Sequence, residues 1–186
     1  MNAGGVLVVG YGNTLCGDDA LGPRVAELLA SRQLLPGATI VARHQLAPEL
    51  ADEIAVSRLV VLVDARRDGG RPGDVRIEQV VGSCRPVGSH AVDVSAIVDL
   101  AERVYGNGPH VVVVSVSAER LDLGAGLSPA VASALPRVVD AVVAVVESHT
   151  AGPRHRDQGP VGAGHRPIRR AACLLHDLGS EHRNEW

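Results

Sequence analysis

Asp18 and Asp19 stand side by side in VLVVGYGNTLCGDDALGPRV, Val6 to Val25, immediately before a stretch with helical apolar spacing. Asp64 closes the apolar run RLVVLVDA, and His90 in VGSHAVDV stands just ahead of another helical pattern. Each has an ordinary structural use. An aspartate before a helix caps free backbone donors and complements the dipole, an aspartate after a strand makes a turn, and a loop histidine can simply face water. One aspartate suffices for a cap, however, so the second needs another reason. If the three segments meet at one edge of a sheet, two carboxylates and an imidazole offer nitrogen and oxygen ligands to a borderline metal, with a coordination position left open.

Other chemistries have less to work with. Every basic side chain is Arg or His, so neither the phosphate-binding lysine of a P-loop nor a Schiff base is available. There is no Phe, one Trp and two Tyr, and the net charge is -3. That composition lacks the aromatic platforms and positive surface that nucleic-acid binding needs. The three cysteines, Cys16, Cys84 and Cys173, are scattered and form no Cys-x-x-Cys pair, which suggests neither a zinc knuckle nor a disulfide framework. No Gly-x-Ser-x-Gly elbow occurs, and no histidine lies close to Cys16 in sequence, so a serine or cysteine nucleophile has weak support. No targeting segment is evident and no apolar run is taken as long enough to span a bilayer. A cytoplasmic protein with no membrane partner is expected.

The elements that must position these residues follow from periodicity. Val6–Val9, Thr39–Ala42, Arg58–Ala65 and the run from His110 read as strands, and Asp74–Val80 alternates like an edge strand. Helical spacing recurs at Leu21, Val25, Leu28 and Leu29, in PELADEIA from Pro48, and from Val94 to Val104. The segment SPAVASALPRVVDAVVAVV has Ser128 as a cap and Pro129 in its first turn and reads as a helix, although its valines also suit a strand and Pro136 should kink or break it. Strands apolar on both faces, separated by helices, give an α/β three-layer sandwich: a mostly parallel twisted sheet with helices on both faces. Ligands of such a sheet sit beyond the carboxyl ends of its strands. Residues 1–148 form this domain. Residues 149–186, rich in Gly, Pro, Arg and His without apolar period, read as a disordered tail.

Gly10-Tyr11-Gly12 begins like a dinucleotide-binding turn, but Leu15 occupies the place of the third glycine, and the second strand ends in Arg43-His44 where an acid should hold a ribose. Two carboxylates at a helix N-terminus would also repel a pyrophosphate. The glycines are therefore expected to serve only a tight turn. Asn13 is expected to shape the loop, through a left-handed backbone or a side-chain hydrogen bond, and not to cap a helix.

Gly12-Asn13-Thr14-Leu15-Cys16-Gly17-Asp18-Asp19-Ala20-Leu21-Gly22 resembles the N-terminal motif of the hydrogenase maturation proteases, endopeptidases that remove a C-terminal extension from the large subunit of nickel–iron hydrogenases. The family's metal-binding acid, the second of its acidic pair, falls on Asp19. Its acid at the end of the third strand falls on Asp64, and its histidine on His90. GLSPAV, Gly126 to Val131, is similar to the family's entry into its last helix. The resemblance runs from about Gly5 to Val146. It departs after the second strand, where many members carry Asp-Gly-Gly and this chain has Arg43-His44-Gln45; His44 could touch substrate there.

The resemblance implies an endopeptidase acting on a hydrogenase large-subunit precursor after nickel insertion. Asp19, Asp64 and His90 would ligate nickel carried by the substrate, and Asp18, Asp19 or Asp64 would serve catalysis, one of them as general base. The alternatives are a nonproteolytic accessory that escorts nickel with the same ligands, and a nucleotide-dependent oxidoreductase.

Overall fold

Continuous apolar runs become central strands because both of their faces are covered. In the computed structural model, residues 4–80, 88–105 and 109–151 are described. They form β1 (Gly5–Tyr11), α1 (Leu21–Ser31), β2 (Ala38–Arg43), α2 (Leu50–Ala55), β3 (Ser57–Arg66), β4 (Val75–Val80), α3 (Gly88–Tyr105), β5 (His110–Ser117) and α4 (Pro129–Thr150). The sheet order is β2-β1-β3-β5-β4. All pairs are parallel except β4 with β5, so the alternating segment is indeed an edge strand.

Strand alternation divides the core into two layers. Val6, Val8, Val61 and Val63 pack with Leu21, Val25 and Leu29 of α1 and with Val138 and Val142 of α4. Leu7, Val9, Val60 and Leu62 point the other way, against Leu50 and Ile54 of α2 and Val94 and Val98 of α3. Each such buried aliphatic side chain contributes about 1.5–3 kcal/mol, so a core nearly without aromatics still has many contributors. The three-layer arrangement expected from periodicity is the one formed.

Three local expectations change. Pro136 lies inside α4, which nevertheless runs unbroken. Pro136 is exposed, so the carbonyl freed by its missing N–H faces water instead of the core. At 22 residues and a mean hydropathy of 1.7, α4 is also long and apolar enough to cross a membrane by length and composition. Its valines are instead spent on the sheet: Val131, Val138, Val139, Val142 and Val146 are buried, while Arg137, Asp140 and Glu147 are not. Finally, α4 continues to Thr150, two residues beyond the expected end of the domain at residue 148. The chain divides into Met1–Gly152 and Pro153–Trp186; the expected tail beyond Ala151 lies outside the described residues.

The glycines at the end of β1 do more than make a turn. A Cβ on Gly10 would sit 1.9 Å from the carbonyl oxygen of Gly22, and one on Gly22 would sit 2.3 Å from that of Tyr11 and 2.5 Å from that of Val63. The first turn of α1 therefore rests directly on the ends of β1 and β3. The close helix–strand approach is present, with Gly22 supplying the missing third glycine at a different spacing. Gly10→Ala should cost about 3 kcal/mol or more, because backbone, not a flexible side chain, must move; an unchanged urea midpoint would show that α1 can lift away freely.

Candidate active site

Parallel order around β1 places a crevice at the carboxyl ends of β1 and β3, where neighbouring connections leave in different directions. A cleft of about 240 Å³ opens there. Tyr11, Gly12 and Asn13 line it from the end of β1, Asp19 from the following loop, His44, Gln45 and Leu46 from the loop after β2, and Asp64 from β3. Asp19 and Asp64, 45 positions apart by their numbers, thus face one cavity.

The loop that carries Asp19 is held by its own backbone. Gly12 has φ 138°, and a Cβ there would lie 2.0 Å from the Asp19 carbonyl oxygen; only glycine suits that position. The Asn13 amide donates to Asp19 Oδ2 at 2.7 Å, and Asn13 Oδ1 accepts from the Leu15 amide at 2.9 Å. Asn13 is a loop residue, as expected, but through its side-chain hydrogen bond. The left-handed conformation belongs to Gly12, and Gln33 is the non-glycine with positive φ among the described residues. Asp19 is thereby aimed at the cleft as an oriented carboxylate.

Asp18 points elsewhere. It is fully buried and is absent from the cleft lining. Its Oδ2 accepts from the amides of Glu119 at 2.8 Å and Arg120 at 3.0 Å, and its Oδ1 from the amide of Ser128 at 2.6 Å. Burial pushes its carboxyl upward, but the Arg120, Ser128 and Glu119 amides together outweigh that and hold it below the usual aspartate range. The group fastens the loop before α1 to the segment between β5 and α4. Nor does it cap a helix by its side chain: the short 3-10 turn Gly17–Ala20 and α1 have no side-chain cap, whereas Ser128 caps α4 by accepting from the Val131 amide.

Asp64 is 6% exposed, and its Oδ1 accepts from the Ala65 amide at 2.7 Å. Two residues on, Arg66 locks the strand end. Its guanidinium donates to the Ser115 carbonyl at 2.9 Å, to Ser117 Oγ at 2.8 Å, and to Asp68 Oδ2 at 2.6 Å. That Arg66 hydrogen bond, with the Gly70 amide, keeps the Asp68 carboxyl well below the usual range. Sequence reasoning passed over Arg66, whose partners on β5 lie 49 and 51 positions away.

His90 lies inside the first turn of α3, not ahead of it. Because α3 ends at Tyr105 and β5 begins at His110, the end of α3 adjoins the amino ends of the strands. Its first turn is therefore directed toward their carboxyl edge, on the face shared by Leu7, Val9 and Tyr11. The side chain of His90 is outside the described residues. Among the described residues, no three His, Cys, Asp or Glu side chains are gathered closely enough to hold an ion.

The family model for HycI, hydrogenase maturation protease, matches residues 23–145. The chain belongs to the hydrogenase maturation protease family. Asp64 and His90 fall within the matched span, and the Asp18-Asp19 pair lies just ahead of it. The solved structure of the hydrogenase maturating endopeptidase HybD from E. coli is similar at 25% identity and TM-score 0.67, over 77% of this chain and 93% of that one. The HycI [NiFe] hydrogenase maturation protease of Thermococcus kodakarensis shares the fold, at 24% identity and TM-score 0.61, over 76% of this chain and 92% of that one. No curated protein sequence matches significantly. This maturation protease is thus an endopeptidase, and its family acts on hydrogenase large-subunit precursors. Neither the accessory nor the oxidoreductase reading gains support from these relatives.

Proposed function

We propose that this maturation protease removes the C-terminal extension of a nickel–iron hydrogenase large-subunit precursor after nickel has been inserted, and that it reads the nickel on that substrate. The observation that carries the reading is the shared cleft of Asp19 and Asp64. Two oriented carboxylates there supply hard oxygen donors, and α3 directs the turn bearing His90 toward the same edge. That donor set suits nickel, since imidazole complements carboxylate for such metals. The metal arrives as part of the substrate.

Within this reading Asp19 and Asp64 hold the loaded precursor, so that the scissile peptide lies across the cleft, and one of them takes a proton from the attacking water. Asp18, the third acid expected to serve catalysis, has all three amide partners within the fold; its part is to position Asp19. The cytoplasm is the proposed compartment, in keeping with scattered cysteines and the free thiol of Cys16.

Incubation of the purified full chain with nickel-loaded precursor should yield a large subunit shortened at its C-terminus, measured by intact mass. An unchanged mass in the presence of folded protein would overturn the assignment.

A further inference from the structure

Past Val63, β3 loses a neighbour. Gly10 is the last residue of β1 paired with it, opposite Val63, so Asp64, Ala65 and Arg66 are supported in the sheet only by Ser115, Val116 and Ser117 of β5. At the same level the two faces of the sheet part company. On the face covered by α1 and α4 the residues stay apolar, with Val63, Ala65, Val114 and Val116 all buried. On the face covered by α2 and α3, Val60, Leu62 and Val111 give way by strand alternation to Asp64, Arg66, Ser115 and Ser117. Asp64, Ser115 and Ser117 are buried. Buried polar groups are costly unless paired, and apolar replacements of similar volume are often at least as stable. Stability alone therefore does not account for a polar set on one face.

One side chain closes that set. Arg66 Nε donates to Asp68 Oδ2 at 2.6 Å, and Nη1 donates to the Ser115 carbonyl at 2.9 Å and to Ser115 Oγ at 3.1 Å. Nη2 donates to the Asp74 carbonyl at 3.1 Å and to Ser117 Oγ at 2.8 Å, and Ser117 Oγ in turn donates to Asp68 Oδ1 at 2.9 Å. All five N–H groups of the planar fork have an acceptor. Ser115 is the residue opposite Asp64, and both its carbonyl and its hydroxyl accept from Arg66. We propose that Arg66 is a positioning residue for processing: its guanidinium fixes the half-supported end of β3 against β5 and so holds the Asp64 carboxylate in the orientation that meets the precursor. The proposal rests on the reading above, in which Asp64 faces the substrate. Asp64 Oδ1 accepts from the Ala65 amide at 2.7 Å, so the carboxylate follows the backbone that Arg66 fixes. Arg66 is absent from the cleft lining and acts through Asp64, not on substrate.

The test uses two variants of the full chain. Arg66→Lys keeps the charge and loses the planar fork. Ser117→Ala is the milder change, because Arg66 Nη2 keeps the Asp74 carbonyl and Asp68 Oδ1 keeps the Gly70 amide; it reports even if Arg66→Lys does not fold. For nickel-loaded precursor, kcat/KM per folded molecule should fall about 10–100-fold in Arg66→Lys and about threefold or more in Ser117→Ala. Each change is then repeated in an Asp64→Asn background, with precursor affinity measured beside cutting in every variant. A residue that acts through Asp64 should cost less than about twofold more there, whereas a merely structural one costs as much as before. Equal losses in both backgrounds, or no loss in either folded variant, would overturn the positioning role. Absence of cutting by the unaltered chain would sink the protease reading. The positioning role is then decided by affinity: loss beside Asp64 and none beside Asn at that position keeps it, and any other pattern removes it.

Discussion

Asp18→Ala should lower the unfolding free energy by roughly 3 kcal/mol, because it leaves the buried Ser128 amide and the partly buried amides of Glu119 and Arg120 without their acceptor. Against a typical total of about 5–15 kcal/mol, that is a large fraction. Asp18→Asn should also destabilise. An amide has one acceptor oxygen, so whichever way it is turned its NH2 group confronts at least one backbone N–H. The pH dependence has a definite sign. Since the folded carboxyl titrates below its ordinary value of 3.8, its contribution is present above that value and fades as pH falls through the lower folded value. Urea titrations of the unaltered chain should therefore show an acid-sensitive component below about pH 4 that is missing from Asp18→Asn. Two variants with the stability and acid profile of the unaltered chain would mean that the amides find other partners, and that the loop before α1 does not depend on Asp18.

Asp18 also shows where sequence stops being informative. The two aspartates are chemically identical neighbours, yet one turns inward to amides 101 to 110 positions away and the other faces the cleft. No local pattern carries that difference, because the partners are set by the packing of β5 and α4. By contrast, β1, β3 and β5 were legible as unbroken apolar runs, since burial on both faces removes the alternation that solvent would impose. Ser128 was legible as a cap because capping is a local interaction. The order β2-β1-β3-β5-β4 was not legible, being a matter of long-range register. It is this order that brings Gln45 and Leu46 to the cleft: Tyr11 pairs with Arg43, and the Gly12 amide donates to the Arg43 carbonyl, so the loop after β2 opens beside the end of β1. Sequence singled out His44 alone in that loop, because neither neighbour is of a type that announces chemistry. Gly22 escaped for a similar reason, as a close contact with Gly10 can be made from more than one spacing.

Asp19→Asn and Asp64→Asn should each slow processing on the order of a hundredfold or more, since even the outer partners of metal ligands are worth about 10–100-fold. These substitutions separate charge from structure. An asparagine at 19 keeps an oxygen for the Asn13 amide, and one at 64 keeps an oxygen for the Ala65 amide, so both local hydrogen bonds can persist while the anionic donor is lost. Their stability should stay close to that of the unaltered chain, in contrast to Asp18→Asn, in which three amides compete for one oxygen. His90→Ala should likewise lose processing if the first turn of α3 contributes the nitrogen ligand. The substrate supplies the decisive arm. If the carboxylates read nickel and do not merely bind peptide, precursor prepared without nickel should remain uncut by the intact enzyme, and reconstitution of that precursor with nickel before mixing should restore cutting. Adding the Asn variants to nickel-loaded precursor and following intact mass over time completes the comparison. Rapid cutting of nickel-free precursor, or full activity in both Asn variants, would remove nickel from the recognition step and leave Asp19 and Asp64 as residues of a cleft whose chemistry lies elsewhere.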